Sequence, residues 1–277
     1  MKTRQPAPLR FDPFPGIGRR LLHRAYGLAW WTAGAVCWPV ILWKARRPAF
    51  RRMLVERLGR GVPRLDPTRR RILVHGVSVG EVKGAAALVA ELERFDPGLE
   101  IAISTTTDTG QRVARGLYPG LTVVRFPFDV ESSIARFLDR VRPTAVVLVE
   151  LEIWPNFLRL CNQRGIPIVV VNGRITDRSH ARYRRFRHLL PQFRRISYFA
   201  VQSEEYALRF LDLGVEPARL SVTGNIKFDA LRLERREPAP ELVRRVAARS
   251  GQPVVVAGST HDPEERAVVA AWLAGAP

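Results

Sequence analysis

The chain has 277 residues, is 46% hydrophobic and carries a formal charge of +19 at neutral pH. It has ample apolar material for one large domain or two modest ones, and its two cysteines, Cys37 and Cys161, exclude a disulfide framework or a cysteine-built metal site; they read as reduced thiols in a cytosolic setting. The basic excess points to anionic surfaces, either acidic lipid or nucleic acid, but it is almost all arginine, with lysine only at Lys2, Lys44, Lys83 and Lys227. No zinc spacing, helix-turn-helix pattern or aromatic RNA-binding signature accompanies it, so no nucleic-acid partner is expected.

Residues 1–24 are basic and Pro-rich and read as a disordered tail. From Ala25 to Trp43 there is no charge, and as a helix rising ~1.5 Å per residue this run would be about 28 Å long, near the thickness of a bilayer core. Trp30, Trp31, Trp38 and Trp43 suit the membrane interfaces, and Arg19, Arg20, Arg24, Lys44, Arg46 and Arg47 bracket the run. A cleaved signal peptide would need small residues where WKARRP stands, and a buried globular helix is the other competing reading; a membrane anchor is favoured, spanning or lying in the interface. The stretch 48–60 continues it as an amphipathic helix, with Phe50, Met53, Leu54 and Leu58 on one side and Arg51, Arg52, Arg57 and Arg60 available to headgroups.

Beyond Pro67, strand-like runs at 72–77, 100–104, 121–126, 144–150, 166–171, 197–201, 220–223 and 253–257 alternate with helical segments at 81–95, 109–117, 131–141, 155–164, 181–194, 204–213, 240–250 and 263–274. Near-continuous apolar strands separated by helices predict an α/β fold with a mostly parallel sheet covered on both faces. Residues 68–232 are read as a Rossmann-like domain, 233–251 as a linker and connecting helix, and 252–277 as a piece that either packs on the first domain or begins a second one.

In the first βα unit, Glu81 falls in the opening turn of the helix that follows Ile72-Leu73-Val74, where exposed N–H groups favour an ionised carboxylate. Such a group is either a helix-start device or a base held charged beside a substrate. After the second strand, Ser104 to Gly110 offers hydroxyls that fit a phosphate, a sugar or a helix cap. Glu150 and Glu152 stand at the end of the fourth strand, where a carboxylate is costly unless solvated, paired or working. Asn172 and Arg174 end the fifth strand, Arg174 being placed to clamp a phosphate or to pair with a nearby acid, and Lys227 follows the seventh as a compact point charge.

Together, HGVSVGE, STTTDTG, FPFD, VELEIWPN, NGRITDRS, AVQSEEYALRFLDLGV, TGNIKFD and GSTHDPEE resemble the successive motifs of the bacterial 3-deoxy-D-manno-octulosonic acid (Kdo) transferases of lipopolysaccharide assembly, from the hydrophobic N-terminus to about Glu265. The resemblance implies a GT-B glycosyltransferase, two Rossmann-like domains across a cleft, moving Kdo from CMP-Kdo to the lipid A precursor lipid IVA with inversion, without metal or cofactor, on the cytoplasmic side of the inner membrane. It implies that Glu81 is the general base and that Glu150 and Lys227 stabilise the transition state. Ser78, Gly80, Thr106, Glu152, Asn172, Arg174, Asn225, Ser259, Thr260 and His261, from the same motifs, are expected to bind substrate. Gly76 stands where the family commonly has serine. The family's later nucleotide-binding motifs have no counterpart before Pro277, so these residues alone are expected to transfer little Kdo. A membrane-bound domain that only holds the lipid A precursor, or a GT-B enzyme using another nucleotide sugar, are the alternatives.

Overall fold

The computed structural model describes residues 17–186, 192–228, 239–247 and 255–275. It divides into two compact units, residues 1–231 and 232–277.

The first unit opens with three helices, α1 (Ile17–Val36), α2 (Trp38–Ala45) and α3 (Pro48–Arg57). The uncharged run is not one straight helix. It breaks at Cys37, just before Pro39, which has no N–H to continue the ladder, and the pieces 24–36 and 38–45 meet at a bend of 58°. No single helix among the described residues is long and apolar enough to cross a membrane, although the bent pair has the length and composition to do so. Helix α1 also begins at Ile17, within the stretch read as tail.

Seven parallel strands follow, β1 (Arg71–His75), β2 (Glu100–Thr105), β3 (Thr122–Arg125), β4 (Ala145–Val149), β5 (Ile168–Gly173), β6 (Tyr198–Val201) and β7 (Leu220–Val222), side by side in the order β3-β2-β1-β4-β5-β6-β7. The alternation of side chains splits each strand between two cores. Leu73, Val146, Leu148 and Val170 enter the larger one with Phe137, Phe157 and Phe199, whereas Val74, Ile103, Val147 and Val149 enter the other with Val82 and Val89. Both faces being covered explains why the strands read as unbroken apolar runs.

The covering helices are α4 (Val79–Gly84), α5 (Ala86–Phe95), α6 (Asp108–Leu117), α7 (Glu131–Val141), α8 (Pro155–Gln163), α9 (Asp177–Phe186) and α10 (Glu204–Asp212). The strand order reverses between β1 and β4, so the loops leaving these two strands diverge and open a crevice at their carboxyl ends. Glu81 and Glu150 lie on those two loops.

Three sequence boundaries shift. The helix predicted over 81–95 starts at Val79, because Ser78 caps it, and breaks at Ala85 after the poor helix former Gly84. The helix predicted over 181–194 starts at Asp177, where the Thr176 hydroxyl accepts from Ser179 N–H at 3.3 Å; 187–191 lie outside the described residues and Gln192–Arg195 form a 3-10 turn. The strand predicted over 253–257 is not formed at 255–257, where Val255 and Val256 are exposed, and the remainder lies outside the described residues, as does most of the linker. The second unit is described by α11 (Pro240–Ala247) and α12 (Glu264–Gly275).

Asp129 ties several elements together. Its buried carboxylate accepts from the first N–H groups of α8, Asn156 at 3.0 Å and Phe157 at 2.9 Å, and from the Tyr26 hydroxyl of α1 at 3.0 Å. Burial raises its pKa above the usual carboxylate range, with these three donors pulling the other way. Trp30 meets Phe128 at 6.0 Å between ring centroids, and the Arg57 guanidinium of α3 lies 4.3 Å from the same ring. The N-terminal helices are therefore fastened to the loop that leads into α7 and to the start of α8.

Candidate functional site

A cavity of about 140 Å³ opens at the crevice, lined by Glu81, Glu150, Leu151, Glu152, Arg174, Ile175, Thr176, Ser179 and Tyr183. Its first wall comes from a capping box. The Ser78 hydroxyl accepts from Glu81 N–H at 3.2 Å, and the Glu81 carboxylate reaches back to Ser78 N–H at 3.3 Å and Val77 N–H at 2.8 Å. Both readings of Glu81 thus meet in one geometry: the side chain starts the helix and, so held, faces the cavity. An added Cβ at Gly76 would lie 3.1 Å from Glu81 Cβ, so the bare glycine gives the turn room to bring Glu81 over the strand end.

The opposite wall is built by strained backbone. Glu150 and Asn172, at the tips of adjacent strands β4 and β5, both adopt left-handed conformations, with φ of 63° and 55°. Asn172 Oδ1 accepts from Ile226 N–H at 3.1 Å, and Asn225 Oδ1 from Lys227 N–H at 3.1 Å, which fixes the turn carrying Lys227. Lys227 Nζ then donates to Glu150 Oε1 at 2.8 Å, while Arg174 Nε stands 3.6 Å from Glu150 Oε2. Glu150 is therefore flanked by both cations of the site.

Glu152 differs from its two neighbours. Burial first, then the charges of Glu81 and Glu150, push its carboxyl up to about 7. The Trp154 indole N–H, turned toward the carboxyl, pulls the other way as a donor to the ionised form, although its nitrogen stops short of full hydrogen-bond geometry. Among the described residues no cluster of three or more His, Cys, Asp or Glu side chains is disposed to hold a metal ion.

The remaining motif residues separate into two groups. Asn172 and Asn225 act behind the cavity wall, Ser78 and Gly80 in the turn that carries Glu81. Thr106 does not line the cavity; its carbonyl accepts from Arg125 at 3.0 Å, and the neighbouring Thr107 caps α6 through Gly110 N–H at 3.0 Å, so the hydroxyl stretch is used for capping. Ser259, Thr260 and His261 belong to the second unit, where Thr260 bonds Glu265 at 3.1 Å and His261 N–H bonds Glu264 at 2.9 Å at the start of α12. Sequence reasoning missed Thr176, Ser179 and Tyr183. The Thr-x-x-Ser spacing of 176–179 is a helix-start signal that would have brought all three to the crevice.

A family model described as 3-deoxy-D-manno-octulosonic-acid transferase (kdotransferase) matches residues 52–230. The 3-deoxy-D-manno-octulosonic acid transferase of Haemophilus influenzae is 32% identical over 84% of this chain and 56% of its own length. That of Chlamydia pneumoniae is 32% identical over 81% of this chain and 51% of its own. The chain thus spans about half the length of these relatives. Among solved structures, the Staphylococcus aureus MnaA–UDP complex covers 64% of this chain and 51% of its own at a TM-score of 0.47 and 15% identity, a likeness of fold alone. The match of the family model across the whole parallel sheet, with Glu81, Glu150 and Lys227 all inside it, establishes that the chain belongs to the 3-deoxy-D-manno-octulosonic-acid transferase family.

Proposed function

We propose that this chain carries the acceptor-activating machinery for transfer of Kdo from CMP-Kdo to lipid IVA, with inversion and without a metal. The supporting observation is the seating of Glu81: a carboxylate held by two backbone N–H groups on the wall of a cavity also lined by Glu150, which Lys227 pairs. A sugar hydroxyl is a poor nucleophile. Glu81 accepts its proton as the bond to the anomeric carbon forms, a contribution of roughly 10²–10⁴-fold. Lys227 offsets the charge of the departing phosphate and the donor carboxylate, and Glu150 keeps the ammonium in place.

The acceptor is a lipid, and the N-terminal helices suit a membrane surface. Leu28, Trp31, Val36, Trp38, Val40, Leu42 and Trp43 are exposed, with Arg24, Lys44, Arg46 and Arg47 around them. Tyr26 and Trp30 hold α1 against the domain, which supports an interfacial seat for the bent pair over a spanning one, and the lipid acceptor supports the cytoplasmic face of the inner membrane as its place. Arg178, Arg182 and Arg185 are exposed on α9, the helix that lends Ser179 and Tyr183 to the cavity wall, and offer charge to the acceptor's phosphates.

The test is a chimera joining this chain to the second half of the Haemophilus relative. Glu81→Gln should lower transfer from CMP-Kdo to lipid IVA by about 10²–10⁴-fold with lipid IVA binding unchanged. Undiminished transfer removes Glu81 as the base. Lipid binding with no transfer in the unsubstituted chimera favours a holding domain, and turnover of another nucleotide sugar favours a different enzyme.

A further inference from the structure

The cavity holds three carboxylates, and their partners are unequally shared. Both cations, Lys227 and Arg174, are committed to Glu150. Glu81 has the N–H groups of Val77 and Ser78 and the opening turn of α4. Glu152 has neither: among the described residues no cation pairs with it, and the one N–H turned to it, the Trp154 indole, does not close a full hydrogen bond, although Glu152 is half-buried beside Tyr183 and Trp154. A third anion in so small a space, with Glu81 and Glu150 facing it, is the one that electrostatics removes most readily.

We propose that Glu152 carries the proton of this trio at neutral pH and presents its O–H to an anionic oxygen of the substrate, a carboxylate or a phosphate. The proposal rests on the cavity being the sugar-transfer site described above. It resolves a difficulty of that site: three acids would repel substrates that are themselves anionic, whereas a neutral carboxyl supplies a donor where a carboxylate offers only acceptors. The groups facing Glu152 are Glu81 from α4, Glu150 from the end of β4, Arg174 from beyond β5 and Tyr183 from α9, with Lys227 reaching it only through Glu150. The carboxyl raised to about 7 agrees with this assignment. Glu152 is thus a positioning residue beside the base, not a second base.

The test uses the 277-residue chain with two probes, lipid IVA in detergent micelles for the phosphate and free Kdo for the carboxylate. First, the ¹³C resonance of the Glu152 carboxyl, identified by its loss in Glu152→Gln, should titrate with a midpoint near pH 7, and Glu81→Gln should move that midpoint down. Second, binding of one probe should weaken about tenfold between pH 6 and pH 8, as the protonated fraction falls. In Glu152→Gln, whose amide is a permanent donor, binding should stay at its pH 6 strength, and in Glu152→Ala it should be weak at both pH values. The probe whose binding tracks pH tells phosphate from carboxylate. A midpoint in the ordinary glutamate range, or Glu152→Gln binding as poorly as Glu152→Ala, overturns the proposal. A midpoint near 7 with equal pH dependence in wild type and Glu152→Gln overturns the donor role. If neither probe binds at any pH, the donor role falls together with the sugar-transfer reading, and only the location of the proton survives.

Discussion

His75 opens the motif that closes with Glu81, and its setting makes a quantitative prediction about acid stability. The ring is fully buried at the end of β1, stacked on Phe126 with 4.0 Å between centroids. Its Nδ1 lies 2.9 Å from Ser104 Oγ and 3.1 Å from Ser104 O, and Nε2 has no hydrogen-bond partner. Burial, reinforced by the charge of Arg57, pushes the imidazole down to about 3, against the Ser104 carbonyl, which favours the charged form. A folded-state value below that of the unfolded chain means that the native state binds fewer protons. Stability from this group is therefore complete above the unfolded value of about 6.5 and is lost as pH falls toward 3, at about 1.4 kcal/mol per pH unit. Between pH 7 and pH 5 the loss is about 2 kcal/mol. His75→Asn keeps a donor for Ser104 O and does not titrate. Urea unfolding of both proteins at pH 7 and pH 5 should show the wild type losing about 2 kcal/mol more than His75→Asn over that interval, because carboxylates titrating in the same window are common to both and cancel. Equal losses in the two proteins would refute the neutral, buried imidazole.

Asp129→Ala leaves the Asn156 and Phe157 N–H groups and the Tyr26 hydroxyl without their acceptor, and should cost about 3–5 kcal/mol in urea unfolding, with α1 becoming more open to proteolysis. Glu100→Ala deprives the buried Arg71 of its charged partner, leaving it the carbonyls of Val141 and Asp66; with Glu100 partly solvated the cost should be about 1–3 kcal/mol. Arg69 and then Arg71 hold Glu100 below the usual carboxylate range, so its contribution is present above that range and should vanish from an acid titration as pH falls through the lowered value. Lys227→Met should change stability by less than about 1 kcal/mol, since its pair with Glu150 is partly solvated, yet lower transfer in the chimera by roughly 10²-fold or more.

Strand–helix alternation made the parallel sheet legible because each strand is apolar on both faces, and Glu81, Glu150, Glu152 and Arg174 fell at the crevice because a parallel sheet gathers its loops there. What the sequence hid was of two kinds. Side chains spent on local structure look like ligand groups until partners are seen, as with Thr107, whose hydroxyl caps α6. Long-range fastenings such as Tyr26 to Asp129, separated by 103 positions, leave no periodic trace at all. The break at Cys37 was open to sequence reasoning, since Pro39 stands inside the uncharged run, but hydropathy sums over a proline as readily as over any apolar residue.

The backbone at Glu150 connects stability to function. A glutamate at φ 63° costs roughly 1 kcal/mol relative to glycine there, and Asn172 at φ 55° on the neighbouring strand sits in the same region with less penalty, because its short polar chain tolerates it. If Glu150 were kept for folding alone, glycine would serve better at this position. The strain turns the chain so that the carboxylate meets Lys227 at 2.8 Å and faces the cavity instead of entering the core beside Val149. Glu150→Gly should therefore leave the urea midpoint unchanged or raise stability by up to about 1 kcal/mol, the relief of strain offsetting the loss of a partly solvated ion pair and the greater freedom of glycine in the unfolded chain. Transfer in the chimera should fall at least as far as in Lys227→Met, because the ammonium loses its tether. A Glu150→Gly protein destabilised by more than about 2 kcal/mol would mark Glu150 as a structural residue and remove the argument from strain.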